Sequence, residues 1–443
     1  MYASLIGKKF LEYYNSKNKT TLTTKEYFDK VFFPLFYDRE KYLFSPANTP
    51  LFQLVTQKKT AIVAERIKSK EQIHKKISEY LANKDSPPEM SFAIGFQSAD
   101  DTQTTSGQVT SLKIPMTEDD IYGSWIGIAF GIGMKGGINL LIDHPLIYEA
   151  LETGWSVYSE YVNENPEIGN KVPSWNGIWL SHYFGGNYDK NDPMASFSPM
   201  GIGKNDKTEL ELKSWVHILF VLSKILSGQN IVAYAYSLGQ QNVTLGFTTI
   251  AFPEILRLSD YFSTLFGSIP VVANKKLEML YETQYNFNIA FSKFSRFGVR
   301  AFEPKDLRKF IPSPNQNKFP GLKSDENSII NYFIYETWII AMLNNTDLLL
   351  LADKTANELI AFVDNETKAR TNRSNALNNL LSARNRKDFV RAMDELIQID
   401  PALTACCEEL LSQIMLNISQ DNIPFFVTLL SFKYHSKKTN INL

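Results

Sequence analysis

The chain has 443 residues, 44% of them apolar, with 46 Lys and Arg against 47 Asp and Glu for a net charge of −1. At roughly 100–200 residues per domain this is two or three domains with length to spare for a core. Near-neutral charge excludes a uniformly basic nucleic-acid binder but leaves room for local patches. The two cysteines, Cys406 and Cys407, are adjacent. They cannot build a disulfide scaffold or supply the four ligands of a structural zinc site, so a reducing, cytoplasmic setting is expected.

In chain order, the N-terminus lacks the apolar core of a signal peptide. The stretch from Thr56 to Lys84 reads as a helix, with Val63, Ile67, Ile73, Ile77 and Leu81 recurring at four- to six-residue steps. Ser91 to Phe96 reads as a short strand, and Asp100 to Gly107 as a polar loop. The apolar run Gly123 to Met134 is about half of the ~20 residues a membrane span needs, so no membrane partner is expected. Inside it, Gly131, Gly133 and Gly136 match the spacing of a dinucleotide fingerprint. No βαβ pattern or following acidic residue supports that match, and Gly137 stands where a phosphate loop needs Lys. The run therefore reads as a turn between two buried segments.

Tyr183 to Asp206 reads as a long loop. Glu209-Leu-Glu211-Leu-Lys213 carries the Glu-x-Lys of metal-dependent nucleases. That chemistry needs an upstream Asp on a neighbouring strand. Asp189, Asp192 and Asp206 lie in loop-like sequence, and Leu210, Leu212, Val216, Leu219 and Phe220 recur as on a helix, so a solvated helix face is expected. Ile231 to Leu238 and Val243 to Phe252 read as two strands of a hairpin around Gly239 to Asn242. Pro312 to Lys323 cannot continue either regular structure. After it come candidate helices over Ile329–Leu351, Thr355–Ala383, Arg386–Ile399, Ala402–Ile418 and Ile423–Tyr434. Asp400-Pro401 is a cap-then-proline start. The expected fold is α+β: a mixed α/β part over 1–311, a linker over 312–325, and an all-α helical bundle over 326–443.

The five histidines are scattered. One Glu-x-x-His, Glu71 and His74, stands alone in a lysine-rich helix and reads as a solvated surface pair. No catalytic residue, metal site or cofactor is expected, and the protein is read as a non-enzyme. The charges are more telling. Lys58 to Lys76 holds seven Lys and Arg, Lys293 to Lys309 six, and Lys368 to Arg391 seven, while acid gathers elsewhere, as in Glu118 to Asp120. Segregated basic helices are what a phosphate backbone attracts. The nominated nucleic-acid contacts are Lys58, Lys59, Lys68, Lys293, Arg296, Arg300, Arg384, Arg386 and Lys387. In the middle cluster Phe287, Phe291 and Phe294 fall at helical spacing, which points to core packing. Phe297 and Phe302 flank Gly298 past the helix end, where base stacking is the alternative to packing.

A mixed part of about 320 residues, then a helical bundle, basic patches and no catalytic residues is a layout similar to the large subunit of type I CRISPR interference (Cascade) complexes. The segments Phe33 to Phe52, Gly123 to Trp155, Phe287 to Phe302, Asn378 to Phe389 and Phe425 to Tyr434 resemble that family's shorter, divergent members. The resemblance implies an antiviral defence role without cleavage. The protein would recognise target duplex DNA and its flanking motif beside a guide RNA, contact the displaced strand, and meet other subunits and an effector nuclease. From a different class, the Glu211 and Lys213 motif leaves a stand-alone metal-dependent nuclease of a restriction or abortive-infection system as the alternative. A scaffold whose basic helices face acidic partners is the third reading.

Overall fold

The structure, a computed structural model, describes residues 2–44, 49–51, 53, 63–83, 92–94, 115–203, 208–237, 243–314, 318–364 and 370–439. It is helix-rich, with a small sheet in its middle and an all-helical C-terminal region, as the α+β expectation held. The chain divides into two compact units, 1–225 with 230–250, and 226–229 with 251–443. The change of unit thus comes before the 312–325 segment, which runs inside the second unit.

In the first unit, α1 (Tyr2–Asn18) buries Ile6, Phe10 and Leu11. A capping box, Thr23 with Glu26, starts α2 (Thr24–Tyr27), and the chain continues through a wide π turn into α3 (Phe33–Tyr37). Next comes α4 (Val63–Ala82), as its apolar spacing predicts. A second capping box, Thr117 with Asp120, starts α5 (Glu118–Ile128). Every residue of α5 from Ile121 onwards is buried. It reaches α1 through glycines: an added Cβ on Gly7 would stand 1.9 Å from the Gly123 carbonyl oxygen, and one on Gly127 1.8 Å from that of Ala3. The expected strand at 91–96 is not one over its described part. Residues 92–94 form a turn, because Ile94 N–H donates to Ser124 Oγ at 3.1 Å and Trp125 Nε1 donates to the Phe92 carbonyl at 2.8 Å. Those groups bond to α5 instead of to a strand.

The glycine run makes a hairpin. β1 (Ile132–Met134) pairs antiparallel with β2 (Ile138–Ile142), and Gly136 and Gly137 turn between them at φ 100° and 77°. A strand follows this turn, not a helix, so no helix N-terminus exists there for a pyrophosphate. β2 is followed by α6 (Pro145–Glu164) and α7 (Val172–Tyr183). The fully buried Asn176 of α7 ties them to the turn before β1. It accepts from Trp155 Nε1 at 3.0 Å and donates to the carbonyls of Ala129 (2.7 Å) and Gly131 (2.9 Å). The loop after α7 packs Phe197 back onto that helix, stacked on His182 and edge-on to Trp175 and Trp179. It ends in β3 (Met200–Ile202), which pairs with β4 (Thr208–Leu210). After α8 (Trp215–Ile225), β5 (Asn230–Ser237) and β6 (Val243–Ala251) form the expected hairpin arms, its turn lying outside the described residues. The sheet order is β1-β2-β5-β6.

The second unit holds α9 (Phe252–Phe266), the short α10 (Leu277–Leu280) and α11 (Phe287–Lys293), then α12 (Glu326–Leu343) and α13 (Asp347–Asp364). It ends with α14 (Arg370–Leu381), α15 (Arg386–Ile399), α16 (Thr404–Asn417) and α17 (Ile423–Lys438). The expected helix over 329–351 breaks at Asn344, whose φ of 53° ends α12. Apolar residues on both sides of the break kept the period running through it. Asp400 accepts from Ala402 N–H ahead of Pro401, so the cap-then-proline start holds.

Acid is expected to weaken both units. Burial alone would raise the Asp120 carboxyl, but hydrogen bonds from Lys8, Thr117 and Ser4 override it and bring it down to about 2. Burial, with Lys438 nearby, lowers His435 to about 4. An unfolded histidine titrates near 6.5, so the unfolded chain takes that proton first. His435 thus withdraws about 1–3 kcal/mol as pH falls from about 6.5 towards 4, discounted for its partial exposure. His435→Leu should flatten that slope in urea midpoints measured across this range. A slope identical to the wild type would remove His435 from the account.

Candidate nucleic-acid interface

Lys58 and Lys59 lie outside the described residues. Lys68 is exposed on α4 and has no ion-pair partner among the described residues. Its neighbours are partly neutralised: Lys70 lies 3.6 Å from Asp29, and Lys75 3.8 Å from Glu79. His74 is not the solvated member of a surface pair. It is half-buried, with Nε2 2.9 Å from Asp29 Oδ1 and Nδ1 on the Tyr122 hydroxyl. The period that placed Ile73 and Ile77 in the core also turned His74 towards α5.

Lys293, Arg296 and Arg300 come together around a cleft of about 450 Å³, with Arg257 added from α9. They are unequal. Arg296 is spent on Glu254 at 2.5 Å. Lys293 donates to the Tyr285 hydroxyl at 2.8 Å and stands 4.4 Å over its ring. Arg300 is exposed, with no ion-pair partner among the described residues. Beyond them Lys305 pairs with Glu282 at 3.2 Å, Lys309 with Asp306 at 2.8 Å, and Arg308 with Glu303. The phenylalanines pack: Phe297 and Phe302 are 1% and 0% exposed, which removes them as stacking platforms, while Phe291 and Phe294 keep part of their surface.

Among the described residues, the third cluster is the least neutralised. Arg373 is buried against Asp400 at 3.0 Å. Arg384 is exposed in the turn before α15, where Asn385 caps the helix by accepting from Asp388 N–H. Arg386 donates to the Ile418 carbonyl at 2.9 Å, so it holds α15 to the end of α16. Lys387 and Arg391, one turn apart, are exposed on the same face as the half-covered Val390. Arg386, Lys387 and Arg391 line a groove of about 720 Å³, with Asp394 its one acid. Arg384, Lys387 and Arg391 have no ion-pair partner among the described residues. Arg391 was not nominated from the sequence, although its place four residues after Lys387 was the available signal.

The Glu-x-Lys motif is not on a helix. Glu209 lies in β4, and Glu211 and Lys213 follow it and pair with each other at 3.1 Å. Only Leu210 of the three β4 residues is buried, so the leucines follow a strand edge and then a loop until α8 begins at Trp215. Among the described residues, no three His, Cys, Asp or Glu side chains converge, and no helix is long and apolar enough to cross a membrane. No family model, curated protein or solved structure matches the chain.

Proposed function

We propose that this chain is a non-catalytic nucleic-acid-binding protein that grips a phosphate backbone along α15. The observation that carries the reading is the set Arg384, Lys387 and Arg391: three exposed cations without ion-pair partners among the described residues, two of them lining a groove. Cations that are not already paired are the ones that can release counterions from DNA. Lys293 and Arg300 offer a second, smaller cationic surface in the same unit. The resemblance of the sequence supplies the setting: a cytoplasmic CRISPR interference complex, with guide RNA, target DNA, partner subunits and an effector nuclease around it. There the phosphate contacts would position the chain and base pairing would read the sequence.

The test is duplex DNA binding by fluorescence anisotropy over a range of salt. The triple variant Arg384→Ala, Lys387→Ala, Arg391→Ala should bind at least about tenfold more weakly, with a salt slope smaller by about 3. Arg386 is left in place because it holds Ile418. An unchanged slope in a folded variant would sink the α15 surface. Co-purification from the native host with no RNA and no partner subunit would sink the assembly.

A further inference from the structure

The cleft of about 450 Å³ in the second unit has one wall fixed in place. The segment 296–300, which follows α11, is held from two sides. Glu254 of α9 accepts from Arg296 at 2.5 Å through Oε1 and from Val299 N–H at 3.2 Å through Oε2. Trp338 of α12 donates through Nε1 to the Val299 carbonyl at 2.8 Å. Gly298 permits the close approach, since an added Cβ would stand 2.0 Å from Glu254 Oε2. Phe297 and Val299 are buried, so the exposed Arg300 leaves from a pinned backbone.

Four cations line the cleft against one carboxylate, Glu254, a net of three positive charges. Both oxygens of that carboxylate already accept hydrogen bonds. Arg257 donates to the Asn344 side-chain carbonyl and Lys293 to the Tyr285 hydroxyl, both neutral groups. Arg257, Lys293 and Arg300 have no ion-pair partner among the described residues. The exposed Ser295 adds a hydroxyl, and the half-covered Phe294 and Met342 add apolar surface. Unneutralised cations around a concave site favour a compact anion that carries more than one charge. A phosphate monoester carries about −1.5 to −2 charges at pH 7 and three acceptor oxygens, which guanidinium forks match. A backbone diester carries a single charge and is flanked on both sides by sugars, so an open face such as that of α15 suits it better. The cleft volume falls in the range of small-ligand sites.

We propose that this cleft binds a phosphate monoester, the terminal phosphate of a nucleotide or of a nucleic-acid strand. The phosphate lies on Arg300, Lys293 and Arg257, with the attached nucleoside against Phe294 and Met342. A free nucleotide and a strand end are two sources of the same group. The inference deepens the nucleic-acid reading, because it gives the smaller cationic surface an end-binding role in addition to the backbone grip of α15.

Calorimetric titration of the full chain with AMP, adenosine and inorganic pyrophosphate tests it. AMP should bind at least about tenfold more tightly than adenosine, and pyrophosphate should compete with it. Arg300→Ala and Lys293→Ala change exposed side chains, so their urea midpoints should match the wild type. Each should weaken AMP about tenfold and leave adenosine unchanged. Three results would each overturn the proposal: AMP no tighter than adenosine, no heat with AMP or pyrophosphate at about 1 mM, or unchanged AMP affinity in the folded double variant. Short single strands carrying a phosphate at either end, compared with the same strand ending in hydroxyls, separate the two sources. Preference for the phosphate assigns the group to a strand end, and no preference assigns the site to free nucleotide. Both outcomes support the cleft. The α15 triple variant should lose duplex binding and keep AMP. Lost AMP binding in that variant would place the nucleotide on α15 and overturn the proposal. Duplex binding without AMP binding removes the cleft alone, and AMP binding without duplex binding removes the α15 surface alone.

Discussion

Gly127→Ala is expected to destabilise the first unit by about 3 kcal/mol and to bring most of the protein down insoluble. The added methyl would stand 1.8 Å from the Ala3 carbonyl oxygen and 2.7 Å from Gly7 N. Both are backbone atoms of α1, so no side chain can swing away and the two helices must separate. Overpacking of this kind costs about 1–3 kcal/mol and occasionally more. The better helix propensity of alanine returns only about 1 kcal/mol. Parting α1 from α5 would also strain the bonds from Ser4 and Lys8 to Asp120, at 3.0 and 2.7 Å, which clamp the start of α5. Gly186→Ala, where no atom lies within 4 Å of the added carbon, is the matched control and should change stability by no more than about 0.5 kcal/mol. Urea denaturation of soluble fractions compares the two. A Gly127→Ala protein as stable as the control would show that α1 and α5 do not touch in this way.

Lys433→Met is expected to cost the second unit about 3–5 kcal/mol at neutral pH. Glu336 of α12 is fully buried, and Lys433 of α17 donates to its Oε2 at 2.8 Å from a site itself only 15% exposed. Removing the ammonium leaves a carboxylate in an apolar bundle, with Oε1 already unpartnered. Burial raises the Glu336 carboxyl, and Lys433 is the chief influence holding it down. In the variant, acid should therefore protonate Glu336 and recover part of the loss. The sign follows from linkage: a folded-state value above the unfolded one gives stability that is present at low pH and lost as pH rises. The double variant Glu336→Leu, Lys433→Met should return close to the wild type, since a packed apolar pair replaces a buried ion pair at little cost. A Lys433→Met protein with wild-type stability, or a double variant no better than the single, would show that the charge pairing does not hold α12 to α17.

Both results bear on the functional reading. The α15 groove lies in the same unit as this buried pair, so its variants must be compared at equal folded fraction. Arg386 makes the same point on a smaller scale. It was nominated as a nucleic-acid contact, yet its bond to the Ile418 carbonyl makes it part of the scaffold beside the surface, while Lys387 next to it is left exposed.

Sequence alone determined what depends on neighbours along the chain. Periodicity placed α4, α15 and α17, proline and aspartate marked the start at Asp400, and two strand-like runs around the polar stretch Gly239 to Asn242 marked β5 and β6. These signals are local, because helices and strands satisfy their backbone groups from nearby residues. Tertiary structure decided which charges remain available. Arg296 and Arg300 are four residues apart in one basic run, but Glu254 from α9 neutralises the first and leaves the second. It also decided that Gly131 to Gly137 turns a hairpin, and that Glu303 meets Tyr285, Arg308 and Lys293 around one cavity. The physical reason is that ion pairing and burial depend on atoms brought together from distant parts of the chain, and no spacing rule along the sequence carries that distance.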